Sequence, residues 1–247
     1  MIRAWALPGI PEVRAGDDLA SILAAARGEP FAAGEVLVVA HKVVSKAEGR
    51  VVALDGVEPS PRALELAARL GKDDPRHVEV VLREAAEVVR AERGVLISRT
   101  HHGFVCANAG VDASNAAAGE LVLLPADPDA SARAIRAALP GHPAVVIADS
   151  FGRAWRHGQC DVAVGVAGLA PLDDWRGRTD SHGRELRATW IAVADQAAAA
   201  ADLARAGKDA AEPAVVVSGL DRHVLPAGED GPGAAALVRS RDEDLFG

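Results

Sequence analysis

The sequence predicts a mixed α+β fold, and three features of its 247 residues carry that expectation. Short unbroken apolar runs at Val36 to Ala40, Val145 to Ile147 and Pro213 to Val217 have the length and β-branched content of strands covered on both faces. Between them lie segments whose apolar residues recur every three or four positions, as in helices that bury one stripe. Strands and helices alternate too irregularly for a doubly wound sheet, which leaves α+β with a mixed sheet. No internal repeat or long low-complexity linker divides the chain, so residues 1–247 are expected to form one domain.

In chain order, Trp5 to Pro11 is a short strand running into a turn made rigid by Pro8, Gly9 and Pro11. Asp17 or Asp18 caps a helix that runs to about Ala26 and buries Leu19, Ile22 and Leu23. The strand Val36 to Ala40 leads directly into His41-Lys42-Val43-Val44-Ser45-Lys46-Ala47-Glu48, which sets two lysines, a hydroxyl and a carboxylate after a core element. Residues Pro61 to Leu70 and Pro75 to Arg90 are predicted helical, with Gly71 to Pro75 as the turn between them. Gly94 to Arg99 is a strand. The Gly- and Asn-rich stretch from Thr100 to Asn115 then presents Asp112 and Asn115, where backbone can approach a ligand and an oxygen donor can be aimed at it. Leu121 to Leu124 is a strand and Pro128 to Leu139 a helix.

The densest chemistry follows the strand at Val145. Within a dozen residues it delivers Asp149, Ser150, Gly152, Arg153, Arg156, His157, Gln159 and Asp161. Leu172 to Arg187 is strongly polar and broken by Gly177 and Gly183, so it is expected as a loop or hairpin over the site. An Ala-rich helix from Thr189 to Ala206, a last core strand from Pro213 to Val217 and a Gly-rich tail from Gly228 complete the chain.

Composition excludes several classes. A net charge of −8 with no basic stripe argues against nucleic acid as a partner. No apolar run approaches the roughly 20 residues of a membrane span, and the start lacks a basic, then apolar, signal pattern, so a cytoplasmic protein is expected. Cys106 and Cys160 are far apart, without the paired spacing of zinc or redox sites, and read as small buried side chains. Only four of the 27 basic residues are lysines: Lys42, Lys46, Lys72 and Lys208. In so arginine-rich a chain the close pair Lys42 and Lys46 points to a compact cation wanted at phosphate.

Asp112 and Asp149, on separate segments and each beside a neutral oxygen or amide donor, suit a hard divalent cation better than zinc. With the two lysines, the ligand they imply is a polyphosphate. The chain has no GxxxxGK[ST] loop, since Gly207-Lys208-Asp209 lacks its surroundings, and no GxGxxG. Adjacent His101 and His102 should diverge rather than share a metal. A triad of Ser150, His157 and Asp161 can be drawn, but no GxSxG elbow supports it.

Five long motifs in order, LPGIP at Leu7, HKVVSKAEGR at His41, GFVCANAGVDASN at Gly103, ADSFGRAWRHGQCDVAVGVAG at Ala148 and PLDDWRGRTDSHGREL at Pro171, together with the EDLF end, resemble the coenzyme F420-0:L-glutamate ligase family. Within that family the chain is similar to the ligase half of actinobacterial-type enzymes, without their nitroreductase-like domain. The resemblance implies the family's mixed-sheet fold, a homodimer, and GTP-dependent addition of L-glutamate to F420-0, with further γ-linked glutamates in many members. It places GTP at Leu7, Pro8, Gly9 and Ile10, at His41, Lys42, Lys46 and Asn115, and at Gly207 and Lys208. It gives one Mg²⁺ or Mn²⁺ to Asp112 and Asp149 and a second to Ser150, with K⁺ as a further candidate ion. Lys46, Asp112 and Asp149 are the candidate catalytic residues. The chain departs from the family pattern at His41, usually serine, at Ser150, often threonine, at Lys208 in place of glutamine, and at Gln196 in place of glutamate. Arg153, Arg156 and the arginines from Arg176 to Arg184 are candidates for gripping an anionic acceptor. A ligase for another carboxylate, a non-catalytic GTP-binding homologue and a metal-dependent phosphohydrolase remain as rivals.

Overall fold

A computed structural model describes residues 1–207 and 209–244. Lys208 and the closing Leu245, Phe246 and Gly247 lie outside the described residues. The strands are β1 (Arg3–Ala6), β2 (Val36–Ala40), β3 (Val51–Ala53), β4 (Ala85–Glu92), β5 (Val95–Thr100), β6 (Val105–Ala107), β7 (Glu120–Val122), β8 (Ala144–Arg153), β9 (Arg156–Ala167), β10 (Leu172–Asp174), β11 (Trp190–Ala192) and β12 (Ala214–Ser218). The helices are α1 (Leu19–Arg27), α2 (His41–Ala47), α3 (Pro61–Leu70), α4 (Pro75–Glu84), α5 (Pro128–Ala138) and α6 (Val193–Ala204).

The central sheet runs β1-β12-β2-β8-β9. Only the β2–β8 pair is parallel, with Val36 opposite Ala144 and Ala40 opposite Ala148, while the other pairs are antiparallel. The mixed α+β architecture expected from the sequence is therefore present. Its central strands β2 and β12 and the first half of β8 are almost wholly buried because both faces are covered. Leu37, Val39, Val145, Ile147 and Val216 pack on one side with Leu19 and Leu23 of α1 and Ala132 and Ile135 of α5. Val36, Val38, Val146, Val215 and Val217 pack on the other with the alanines of α6. A third cluster joins α3 and α4 to β5 and to Leu121 and Leu123.

This topology brings distant segments to one edge. In the parallel pair, β2 and β8 point the same way, so α2 starts beside Asp149. β12 runs the other way and begins at that edge, where Ala40 N–H donates to Pro213 O at 2.7 Å. β1 also ends there, with Leu7 N–H on Ala214 O at 2.9 Å.

Several boundaries differ from the sequence reading. The helix expected over 75–90 stops at Glu84, and Ala85–Glu92 is a strand paired with Val95–Thr100. The turn between them, Arg93-Gly94, has both φ angles positive (52° and 77°), the backbone of a tight hairpin. That hairpin and the β-branched Val88 and Val89 override the helical spacing. The helix expected from Thr189 begins at Val193, because Trp190–Ala192 pairs with Leu172–Asp174. Asp18, not Asp17, caps α1, accepting from Ser21 N–H at 3.1 Å, whereas Asp17 accepts from Arg14 N–H at 2.7 Å. The polar run after Ile147 stays in the strand to Arg153, with a register shift between Ile147 and Ala148.

Candidate functional site

The edge where β1, β2, β8 and β12 meet opens into a cavity of about 750 Å³. Its wall carries Ile10 from the turn after β1, Lys42 and Lys46 from α2, Asp112 and Asn115 from the loop before β7, and Asp149 and Ser150 from β8. Gly207 and Arg205 come from the segment after α6. Lys42 and Lys46 are four apart and so share one face of α2, which the sheet aims at the opening. Asn115 adopts a left-handed backbone, φ 57°, which asparagine tolerates better than most residues.

Both lysines on the wall are paired with carboxylates. Lys42 Nζ lies 2.6 Å from Asp112 Oδ2 and also donates to Ser114 Oγ at 2.5 Å. Burial pushes the Asp112 carboxyl up, but hydrogen bonds from Lys42 and Ser114 outweigh it and hold the group below the usual carboxylate range. Lys46 Nζ lies 2.5 Å from Glu12 Oε1. His41 is 1% exposed, with Nδ1 3.4 Å from Ser45 Oγ and Nε2 3.4 Å from Asp149 Oδ1. The Nε2 contact lacks hydrogen-bond geometry, leaving that buried nitrogen without a hydrogen-bond partner. Ser150 N–H donates to Asp149 Oδ1 at 2.7 Å, and Ser150 Oγ donates to Asp161 Oδ1 at 2.5 Å. Arg205 Nη1 donates to Asp161 Oδ2, also at 2.5 Å.

Most of the site residues expected from sequence meet here: Ile10, His41, Lys42, Lys46, Asp112, Asn115, Asp149, Ser150 and Gly207 all line the cavity. Leu7 does not, because its side chain is buried in the core beside the sheet. Pro8 and Gly9 are exposed and off the wall. Lys208 lies outside the described residues. Gln196 is exposed on α6 and absent from the wall, so that departure does not alter the cavity. The expected hairpin does form between β10 and β11, but none of its residues lines the cavity. Arg176 instead pairs with Asp174 at 2.7 Å and covers Trp190 at 4.1 Å, and Arg178 lies over Trp175. Arg153 donates to His157 O at 2.6 Å on the exposed β8–β9 hairpin, and Arg156 is exposed beside it. His157 is thus remote from the Ser150–Asp161 pair, and no triad forms.

His101 and His102 diverge as expected, His101 to Arg83 O at 3.1 Å and His102 to Pro125 O at 3.0 Å. Cys106 is buried, and burial together with the nearby Asp149 charge pushes its thiol up to about 12. The sequence reading missed Glu12, Ser114 and Arg205. Of these Arg205 left a legible signal, as the one basic residue in the Ala-rich stretch from Val193 to Ala206.

Among the described residues no group of three or more His, Cys, Asp or Glu side chains converges as a metal cage. The two carboxylates Asp112 and Asp149 on one wall fit a different pattern, in which one or two carboxylates and the oxygens of a bound phosphate share a hard cation.

A family model described as F420-0:Gamma-glutamyl ligase matches residues 9–219, a span that contains every segment of this wall. The chain belongs to that family. Its relatives include a coenzyme F420:L-glutamate ligase of Methanothermobacter thermautotrophicus, 44% identical over 245 residues and covering 96% of both chains. A protein of the same name from Methanopyrus kandleri is 45% identical over 249 residues, 99% of this chain and 97% of the relative. One from Halobacterium salinarum is 44% identical over 249 residues, 99% and 95% respectively. No helix among the described residues is long and apolar enough to cross a membrane.

Proposed function

We infer that this family member is a coenzyme F420:L-glutamate ligase, which joins L-glutamate to the carboxylate of F420-0 with GTP as phosphoryl donor. One observation carries the reading furthest. Two lysines, an asparagine and the carboxylates of Asp112 and Asp149, delivered by three separate segments, face a single cavity large enough for a nucleotide phosphate tail beside an acceptor.

Making an amide from a carboxylate requires that its oxygen be turned into a leaving group. The acceptor carboxylate attacks the γ-phosphorus, GDP departs, and an acyl phosphate results. The amine of glutamate then attacks the acyl carbon, phosphate leaves, and the nitrogen loses a proton. Such transfer depends on charge neutralisation and alignment more than on a protein nucleophile. Lys42 and Lys46 neutralise phosphate oxygens as their present partners, Asp112 and Glu12, are exchanged for the nucleotide. Freed from Lys42, Asp112 joins Asp149 as a pair of oxygen ligands, and Ser150 N–H keeps the Asp149 carboxylate in orientation. Asn115 and Ile10 shape the nucleotide end of the wall. Mg²⁺ or Mn²⁺, when bound there, supplies further neutralisation of the transferring phosphoryl group.

The working unit is proposed as a homodimer in the cytoplasm. The dimer rests on the resemblance to the family.

The test is mass spectrometry of the purified chain with F420-0, L-glutamate, GTP and Mg²⁺ or Mn²⁺, following GDP in parallel and using ATP as control. A product heavier by one or more glutamyl units, with GDP formed only when both co-substrates are present, is expected. GDP without a heavier product would identify a hydrolase or another acceptor, and bound GTP without turnover a non-catalytic homologue.

A further inference from the structure

We propose that the His41 imidazole is a positioning residue for Asp149, turning that carboxylate toward the divalent ion bound with the nucleotide, and that the imidazole does not hold the nucleotide itself. This rests on the metal and GTP reading given above, and it gives residue 41 a different task from the nucleotide contact that family resemblance implies. The side chain is enclosed. His41 is 1% exposed and meets the cavity wall beside Asp149. Its Nδ1 has Ser45 Oγ at 3.4 Å, and Ser45 is itself completely buried. Its Nε2 has no hydrogen-bond partner among the described residues, although Asp149 Oδ1 lies 3.4 Å away.

Burial makes an unpaired nitrogen costly, so the pairing it needs belongs to another state of the site. The ligand-bound state supplies it. A cation shared by Asp149 and phosphate fixes the carboxylate in one orientation, and a rotation that brings Oδ1 into line with Nε2 completes the bond. With the Ser45 hydroxyl donating to Nδ1, the ring hydrogen sits on Nε2 and is donated to Oδ1. Ser150 N–H already donates to that same oxygen at 2.7 Å. Two N–H groups, one from α2 and one from β8, then pin Oδ1 and leave Oδ2 for the ion, the way outer hydrogen bonds orient ligating carboxylates. Residue type decides whether this contact exists. A serine hydroxyl, usual at this position in the family, ends where the imidazole Cγ lies, short of the nitrogen that faces Asp149.

Calorimetric titration of the full chain with GTP, once in Mg²⁺ and once in EDTA, tests this, because the ratio of the two affinities isolates what the ion contributes. GTP is present in both arms, so Lys42 is drawn from Asp112 to phosphate in each. Mg²⁺ should tighten GTP on the wild-type chain, and Asp149→Asn should abolish that gain. His41→Leu, which fills the space without a donor, should leave the EDTA affinity within about twofold and cut the gain about 10- to 100-fold or abolish it. His41→Gln, whose amide nitrogen reaches the Nε2 position, should keep most of the gain. A wild-type chain whose GTP affinity ignores Mg²⁺ would overturn the metal reading and the inference with it. Weaker binding of GTP in EDTA by His41→Leu would show that the side chain holds the nucleotide. A gain no larger in His41→Gln than in His41→Leu would show that no donor to Asp149 is involved. Either result overturns the inference and leaves the ligase reading intact. If His41→Leu fails to fold, as judged by circular dichroism, His41→Asn takes its place: its shorter amide stops at the Nδ1 position, so it should lose the gain that His41→Gln keeps, and equal gains would overturn the inference.

Discussion

Lys46 offers the sharpest test of whether the wall of this cavity receives phosphate. Its ammonium is 14% exposed and lies 2.5 Å from Glu12, whose side chain is 71% exposed. A pair with one partner so open to water is worth about 0–1 kcal/mol. A charge-assisted hydrogen bond from the same ammonium to a phosphate oxygen contributes about 1.5–3 kcal/mol. The exchange of Glu12 for phosphate is therefore favourable by about 0.5–3 kcal/mol, and Lys46→Ala should weaken GTP binding about 2- to 150-fold, at 1.4 kcal/mol per tenfold. The fold should hardly notice, with a melting temperature lowered by no more than about 2–4 °C for the loss of the Glu12 pair. Glu12→Gln should act in the opposite direction, removing the competitor and tightening GTP by up to about fivefold. In the double variant the Glu12 effect should vanish, since there is no ammonium left to release. Calorimetric titration of the three variants and the parent with Mg·GTP, without acceptor, supplies all four affinities. An Lys46→Ala affinity within twofold of the parent, or weaker binding by Glu12→Gln, would refute the exchange.

Three further outcomes follow from the geometry. Asp112→Asn should keep the fold and lower turnover by roughly two orders of magnitude or more, because cation charge stabilisation is worth several kcal/mol; unchanged turnover at limiting metal would remove Asp112 from the site. Burial raises the Asp195 carboxyl above its ordinary value, against the opposing Ala163 N–H bond at 2.9 Å. Its ionised form therefore opposes folding, a cost absent at acid pH and complete once pH exceeds the raised value. Asp195→Asn keeps a carbonyl for Ala163 and should melt at or above the parent temperature at pH 7, the gain shrinking toward pH 4; a lower melting temperature at pH 7 would contradict this. Cys106, with its thiol pushed up to about 12, should resist a disulfide reagent at pH 8 in the native chain and react after denaturation, as peptide mapping would show.

How much of this was legible beforehand depends on the range of the interactions involved. Apolar runs revealed the core strands, because burial on both faces writes itself into consecutive residues. Lysine scarcity and clustered carboxylates revealed the segments that line the cavity, because a phosphate and metal site needs those residue types regardless of fold. Boundaries set by pairing were not legible: Ala85–Glu92 has a helix-like spacing, and only its partner Val95–Thr100 makes it a strand. The arginines expected at an acceptor do not line the cavity. Arg153, Arg156, Arg176 and Arg178 lie in polar runs that look like a binding surface, and each is on or near a hairpin whose arginines are not on the cavity wall.

Arg205 shows the same limit from the other side. Nothing adjacent to it is acidic except Asp202, and its decisive partner is 44 positions earlier in the chain. What joins them is the packing of α6 against β9, where alanines allow close approach and Asp195 ties the helix to Ala163 N–H. A helix with larger side chains would stand farther from β9 and could not hand a guanidinium to Asp161. The Ala-rich composition of α6, which by itself says only that the segment is helical, is thus part of how the cavity wall acquires the Arg205 guanidinium. The same packing can be tested directly. Ala198→Leu at this packed face, where Ala198 is fully buried, should overpack it at about 1–3 kcal/mol, which a lowered melting temperature would show and an unchanged one would refute.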